Sequence, residues 1–367
     1  MENTTVYSPM KSVFYQILRN ALWQKGDIPQ SINPEVFAEI WQMAKEQCVS
    51  GLIAEAMLRN NVKTNTEFTM DLLIEQQQHE KTYEIMQQTL SKLTQVLNES
   101  DAEYVVFKGQ TLAMLYPAPS MRTAGDIDFY VTEKDFSHTL QILNERLKIQ
   151  LTDDDSEKHL NFYLNGIDCE MHHRLETFGS AKHQRYFDSL IDKDVAQAKP
   201  QPVDNAVAKT LSIEETILLV FKHLYNHLII EGVGLRQVCD MAILLDKYHG
   251  KYDADLLKLH LKRIGYWKAF KSMTALLVCV LGLDTDKCPF KLEKCNYWWA
   301  KRLLHEIEKR GNFGRYNRKT SKPGVAKSLE TARIAFGHFM KFLPLAPSET
   351  LHLIPQRIKI TLGKYRK

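Results

Sequence analysis

Two aspartates one residue apart, in Gly125-Asp126-Ile127-Asp128-Phe129-Tyr130-Val131, limit the fold of this chain more than any other stretch. Apart from Asp128, every residue from Ile127 on is β-branched or aromatic, which predicts a strand from Asp126 to Val131. Side chains alternate along a strand, so Asp126 and Asp128 share one face and Ile127, Phe129 and Val131 the other. Two unit charges about 4 Å apart repel by roughly 1 kcal/mol in water and about 4 kcal/mol at an effective dielectric near 20. A cation between them or a retained proton removes that cost. Oxygen ligands with open positions suit Mg²⁺ or Mn²⁺. The plainer alternative is the solvated face of an edge strand, because D-x-D alone is a weak signal.

The surroundings strengthen the first reading. Tyr104 to Phe107 is a short apolar run that predicts a buried strand, and Lys108-Gly109 ends it. Gln110 to Tyr116 reads as a short helix, broken by Pro117 and Pro119. Farther on, Leu160–Leu164 and Ile167–His173 flank Asn165-Gly166, the preferred two-residue hairpin turn. The returning strand sets Ile167, Cys169 and Met171 against Asp168, Glu170 and His172. Its polar face therefore offers two more carboxylates. His172 is placed to orient a carboxylate or contact substrate, whereas His173 reads as a strand-end residue satisfied by backbone.

The order K-G, L-A-x-x-Y-P-x-P-x-x-R, G-D-I-D-F-Y-V resembles the uncharacterised nucleotidyltransferase family, a branch of the DNA polymerase β-like nucleotidyltransferase superfamily. It is carried by Lys108, Gly109, Leu112, Ala113, Tyr116, Pro117, Pro119, Arg122, Gly125, Asp126 and Asp128. The resemblance implies an α+β fold, with a small mixed sheet flanked by N-terminal helices and a C-terminal helical region. It also implies a metal-dependent transfer of a nucleoside monophosphate from an NTP, ATP first, to an acceptor hydroxyl, with pyrophosphate released. Mg²⁺ (or Mn²⁺) would be held by Asp126, Asp128 and a third acid. The family segment H-W-R-L becomes His172-His173-Arg174-Leu175 here, and an acid two residues before it is Glu170, with Asp168 the alternative. Lys108, Gly109, Arg122, Gly125, His172 and Arg236 are the implied nucleotide and substrate contacts. The superfamily's Gly-Ser turn is Lys108-Gly109 in this chain. Likeness to aminoglycoside-type adenylyltransferases favours a small-molecule acceptor over a protein or an RNA end. The rival readings are a catalytically silent nucleotide-binding or scaffold protein, and a nucleic-acid binder using the basic C-terminal region.

The rest of the chain sets bounds. Its 367 residues, 44% hydrophobic and 25% charged, have ordinary globular composition. The longest apolar run, near residues 275–283, is too short to span a bilayer, and the N-terminus lacks a secretory pattern. Six cysteines without a C-x-x-C pair suggest a reducing, cytoplasmic setting, with Cys169, Cys239 and Cys279 as small core residues. The net charge of +4 is uneven: residues 301–367 hold 16 Lys+Arg against 4 Asp+Glu. Such a region can bind a polyanion, but a solvated surface is the simpler reading.

Three regions are expected: N-terminal helices over 1–100, a nucleotidyltransferase core over 101–200, and a helical domain with a basic tail over 201–367. Helices are predicted at Met10–Trp23, from Pro34, at Thr66–Asn98, at Glu133–Arg146 and, behind the capping box Ser212-x-x-Glu215, at Ile213–Ile230. His223 and His227 share a helix face, but Leu224 stands where a zinc protease needs glutamate. Arg236 and Asp240 suit an ion-paired turn. Asp153–Asp155 reads as a solvated loop, Gly311–Gly314 fits no phosphate-binding fingerprint, and Tyr297-Trp298-Trp299 is expected in a core.

Overall fold

A computed structural model describes residues 8–152, 159–230, 232–312, 333, 336–337 and 339–352. Four helices come first. They are α1 (Pro9–Trp23), α2 (Pro34–Glu46), α3 (Ser50–Arg59) and α4 (Thr66–Glu99). Side chains that compete poorly inside helices start three of them. Ser8 accepts from the Lys11 amide, Asn33 from Val36 and Asn65 from Phe68. Cys48, with φ 54°, turns the chain between α2 and α3. At 34 residues, α4 is about 50 Å long. Its second half buries Met86, Leu90, Leu93, Val96 and Leu97 in the core beneath the sheet.

That sheet holds the acids. In chain order come β1 (Tyr104–Val106), the one-turn helix α5 (Gly109–Ala113), β2 (Ile127–Val131), α6 (Glu133–Leu147), β3 (Gln150–Leu151), β4 (His159–Leu164) and β5 (Ile167–His172). The strands lie in the order β1-β2-β5-β4-β3, antiparallel except for the central β2–β5 pair. This is the mixed α+β arrangement expected. Ile127, Phe129 and Val131 join Cys169, Met171 and Phe162 in the core. Burying those three β2 side chains contributes of order 5–9 kcal/mol. That exceeds the roughly 4 kcal/mol that two neighbouring carboxylates cost, so the strand can form while carrying Asp128 on its other face. The short helix stops at Ala113 rather than Tyr116, because turns begin at Met114, ahead of the prolines.

Next come α7 (Ala181–Gln197), a two-stranded hairpin of β6 (Pro200–Val203) and β7 (Ala206–Lys209), and the helices α8 (Ile213–Ile230), α9 (Leu235–Lys247), α10 (Ala254–Arg263), α11 (Trp267–Leu276) and α12 (Lys294–Arg310). At the head of α8 the Ser212 hydroxyl donates to the Glu215 carboxylate and accepts from the Glu215 amide, while the Ser212 amide donates to Asp194 instead of closing the expected capping box. The chain divides into two compact units, Met1–Glu176 with Leu190–Thr216, and Thr177–Ser189 with Ile217–Lys367. The second is built around aromatic contacts among Phe221, Tyr225, Tyr266 and Phe270.

Two expectations are corrected there. Trp298 is 50% exposed and lies under the guanidinium of Arg302, 3.8 Å from its ring centre, instead of filling a core. Cys279 is only partly buried, whereas Cys169 and Cys239 are buried. Asp153–Asp155, Phe313, Gly314 and most of the basic C-terminal region lie outside the described residues. No described helix is long and apolar enough to cross a membrane.

Candidate active site

Each acid reaches the site through the register of its strand. The parallel pairing of β2 with β5 sets Asp128 directly beside Glu170. Asp126 immediately precedes β2 instead of opening it. One oxygen each from Asp126, Asp128 and Glu170 come within 4.8 Å of one another. Asp168 pairs with Tyr163 and belongs to neither of the two such groups among the described residues. The donor set of the first group is oxygen only, the chemistry that suits Mg²⁺ or Mn²⁺.

The turn after β1 closes the site from one side. Phe107 donates its amide to the Asp128 carbonyl at 3.2 Å, which ties the end of β1 to β2. Lys108 follows with φ 55° and ψ −141°, a conformation that glycine populates easily and lysine does not. Backbone held there costs of order 1–3 kcal/mol and tends to occur at functional sites. Its side chain reaches the acids, with Nζ 3.3 Å from Asp128 Oδ1. Gly109 follows at φ 33°. A Cβ there would lie 3.2 Å from the Asp126 carbonyl oxygen, so the start of α5 approaches the backbone of the first aspartate closely. Arg122 is buried and Gly125 is exposed, both in the segment leading into β2.

His172 binds the acids together. Its Nε2 is 2.9 Å from Asp128 Oδ1 and 3.2 Å from Glu170 Oε2, and its ring stands edge-on to Phe107. Burial alone would lower its pKa, but the hydrogen bonds to Asp128 and Glu170 outweigh it and raise it. Lys108 behaves alike: burial opposes its charge, and the carboxylates, Asp128 foremost, hold its pKa above the usual value. Asp126 is the acid left short of cations. The charge of Asp128, then burial, then Glu170 push its carboxyl up to about 6.

Two residues escaped the sequence reading. His159 lies opposite His172 across the β4–β5 hairpin, with Nδ1 3.7 Å from Glu170 Oε2. Its position follows from the Asn165-Gly166 turn, since the pairing of Leu164 with Ile167 fixes every pair outward from it. Glu176, which is buried, adds to the negative field on Lys108. No local pattern marks it. Arg236 lies on α9 in the second unit, and His223 and His227 stack edge to face on α8, with centroids 4.4 Å apart.

Residues 33–282, about two thirds of the chain, match the family described as uncharacterised nucleotidyltransferase. No curated protein matches it. Among solved structures, that of an antigenic nucleotidyltransferase-like protein from Paracoccidioides brasiliensis is similar at 12% identity. The likeness covers 55% of this chain and 94% of that one, with a TM-score of 0.34, which is too loose to carry weight.

Proposed function

The chain belongs to the uncharacterised nucleotidyltransferase family, and we propose that it moves a nucleoside monophosphate from an NTP, ATP first, to an acceptor hydroxyl. The observation that carries this reading is the meeting of Asp126, Asp128 and Glu170 within 4.8 Å, beside Lys108 at the head of a helix. These carboxylates would hold Mg²⁺ or Mn²⁺, which when bound neutralises phosphate charge and supports the attacking and leaving oxygens. The acceptor oxygen forms a bond to the α-phosphorus, the bond to the β-phosphate oxygen breaks, and pyrophosphate leaves with that electron pair. Glu170 takes up the acceptor's proton, being the most solvent-accessible carboxylate of the strand-borne pair. Lys108, held in place by its own backbone turn, neutralises charge that grows on the phosphates. Gly109 lets the triphosphate lie against the backbone, and Arg122, Gly125 and His172 complete the binding assignment in the first unit. Small hydroxyl compounds are the favoured acceptors, ahead of protein side chains and RNA ends.

Labelled NTPs incubated with the protein, Mg²⁺ or Mn²⁺ and cell extract test this. A labelled acceptor and free pyrophosphate are expected, and both should disappear in the Asp126→Ala/Asp128→Ala protein. Magnesium-dependent NTP binding without pyrophosphate release, across many acceptors, would instead identify a silent binding protein.

A further inference from the structure

Beside the all-oxygen group lies a second group of different chemistry. One nitrogen each of His159 and His172 and one oxygen of Glu170 come within 4.8 Å of one another. The two rings are 4.8 Å apart, on strand positions directly opposite each other. His172 is 4% exposed, while His159 and Glu170 are about one-fifth exposed, so the group is sheltered but not sealed from solvent. Two imidazoles and one carboxylate form a mixed nitrogen–oxygen set that favours first-row transition ions, whereas Mg²⁺ prefers oxygen alone. Glu170 is common to both groups.

We propose that this molecule has two unlike cation positions: an oxygen-only one at Asp126, Asp128 and Glu170, and a transition-ion one at His159, Glu170 and His172. Only the oxygen-only position rests on the nucleotidyltransferase reading. On binding the transition ion, His172 offers the lone pair of Nε2, and a proton carried on that nitrogen passes to solvent. The role of His159 is ligation alone, which separates it from the residues placed in the transfer chemistry.

Co²⁺ is a suitable probe, since imidazole N–H protons on a Co²⁺-bound ring resonate far outside the normal range. The full-length protein is dialysed against Co²⁺ in a large excess of Mg²⁺, and bound metal and shifted N–H resonances are measured. One retained Co²⁺ per chain with two shifted imidazole protons is expected. In the His159→Gln protein, Co²⁺ affinity should fall by at least about tenfold and one of the two resonances should vanish, a loss typical of disturbed metal sites. His159→Asp keeps a ligand without an imidazole, so it should hold Co²⁺ more tightly than His159→Gln while lacking the same resonance. Unchanged circular dichroism of both variants shows that the fold is intact. Complete displacement of Co²⁺ by Mg²⁺, or both resonances surviving in His159→Gln, overturns the proposal. Transfer activity is scored separately in Mg²⁺. Pyrophosphate release without Co²⁺ retention sinks this inference alone, and Co²⁺ retention without pyrophosphate release sinks only the transfer reaction.

Discussion

Asp126 is the residue at which the cost of the site can be measured. Its carboxyl titrates near 6, above its usual range, because the charge of Asp128 is close and burial and Glu170 add to it. A folded-state pKa above the unfolded one means the folded protein binds that proton more tightly. The stability this contributes is complete below the unfolded value, near 4, and is lost as pH rises through about 6. Replacing Asp126 by the uncharged, equally sized Asn should therefore stabilise the metal-free protein at pH 7.5, by about 1–3 kcal/mol. At pH 4 the gain should nearly vanish. Thermal unfolding with a chelator present, at both pH values, measures it, with about 2–4 °C expected per kcal/mol. Added Mg²⁺ should reverse the order at pH 7.5, since wild type then gains a ligand that the Asn variant holds poorly. Equal midpoints for the two proteins at pH 7.5 would show that the carboxylates do not strain one another.

At the scale of elements, two glycines separate a turn that builds the fold from one that builds the site. Gly166 has φ 76° and nothing within 4 Å of an added Cβ. Gly166→Ala should thus cost only its backbone conformation, of order 1–2 kcal/mol, and leave turnover per folded molecule nearly unchanged. Gly109 has φ 33° and the Asp126 carbonyl 3.2 Å from its would-be Cβ. Gly109→Ala should lower stability by a similar amount and also reduce the transfer rate at least about tenfold, because the aspartate backbone must shift and small misplacements are costly in positioned catalysis. Chemical denaturation and a steady-state pyrophosphate assay on both variants separate the two effects. Equal rate losses in the two would end the distinction.

The elements also show what could be read beforehand. β2, the β4–β5 hairpin and helices α1, α4, α6 and α8 announce themselves through alternation, an Asn-Gly turn, or caps at apolar-periodic runs. The β6–β7 hairpin did not, because two of the four residues of β6 are prolines and most of that strand is exposed. The carboxylates of the site were legible because strand alternation is local. Glu176 was not, because only the folded chain sets it against Lys108. His159 lay between these cases: hairpin register places it, once β4 is extended one residue beyond Leu160.

For the whole molecule, the open matter is how much of it responds when a nucleotide arrives. The carboxylate group and the Lys108 turn lie in the first unit, while Arg236, which the sequence resemblance implies as a nucleotide or substrate contact, lies in the second. A ligand that binds only the folded state stabilises it by about 2.7 kcal/mol at a hundred times its Kd. Amide exchange in the segments it touches should slow to match. With Mg²⁺ and a non-hydrolysable NTP analogue, slowing is expected over Tyr104–Val131 and residues 159–176, and none of it in the Asp126→Asn/Asp128→Asn protein. Slowing that also covers the start of α9 would support the place given to Arg236. Exchange there that ignores the nucleotide would withdraw the expectation for Arg236 and leave the carboxylates and Lys108 to bind the nucleotide within the first unit. Repeating the exchange measurement with RNA added tests the basic C-terminal residues. If RNA is the acceptor, its protection should weaken steeply with salt, since each phosphate contact releases counterions. A small-molecule acceptor should show no such slope, because few phosphates would be neutralised.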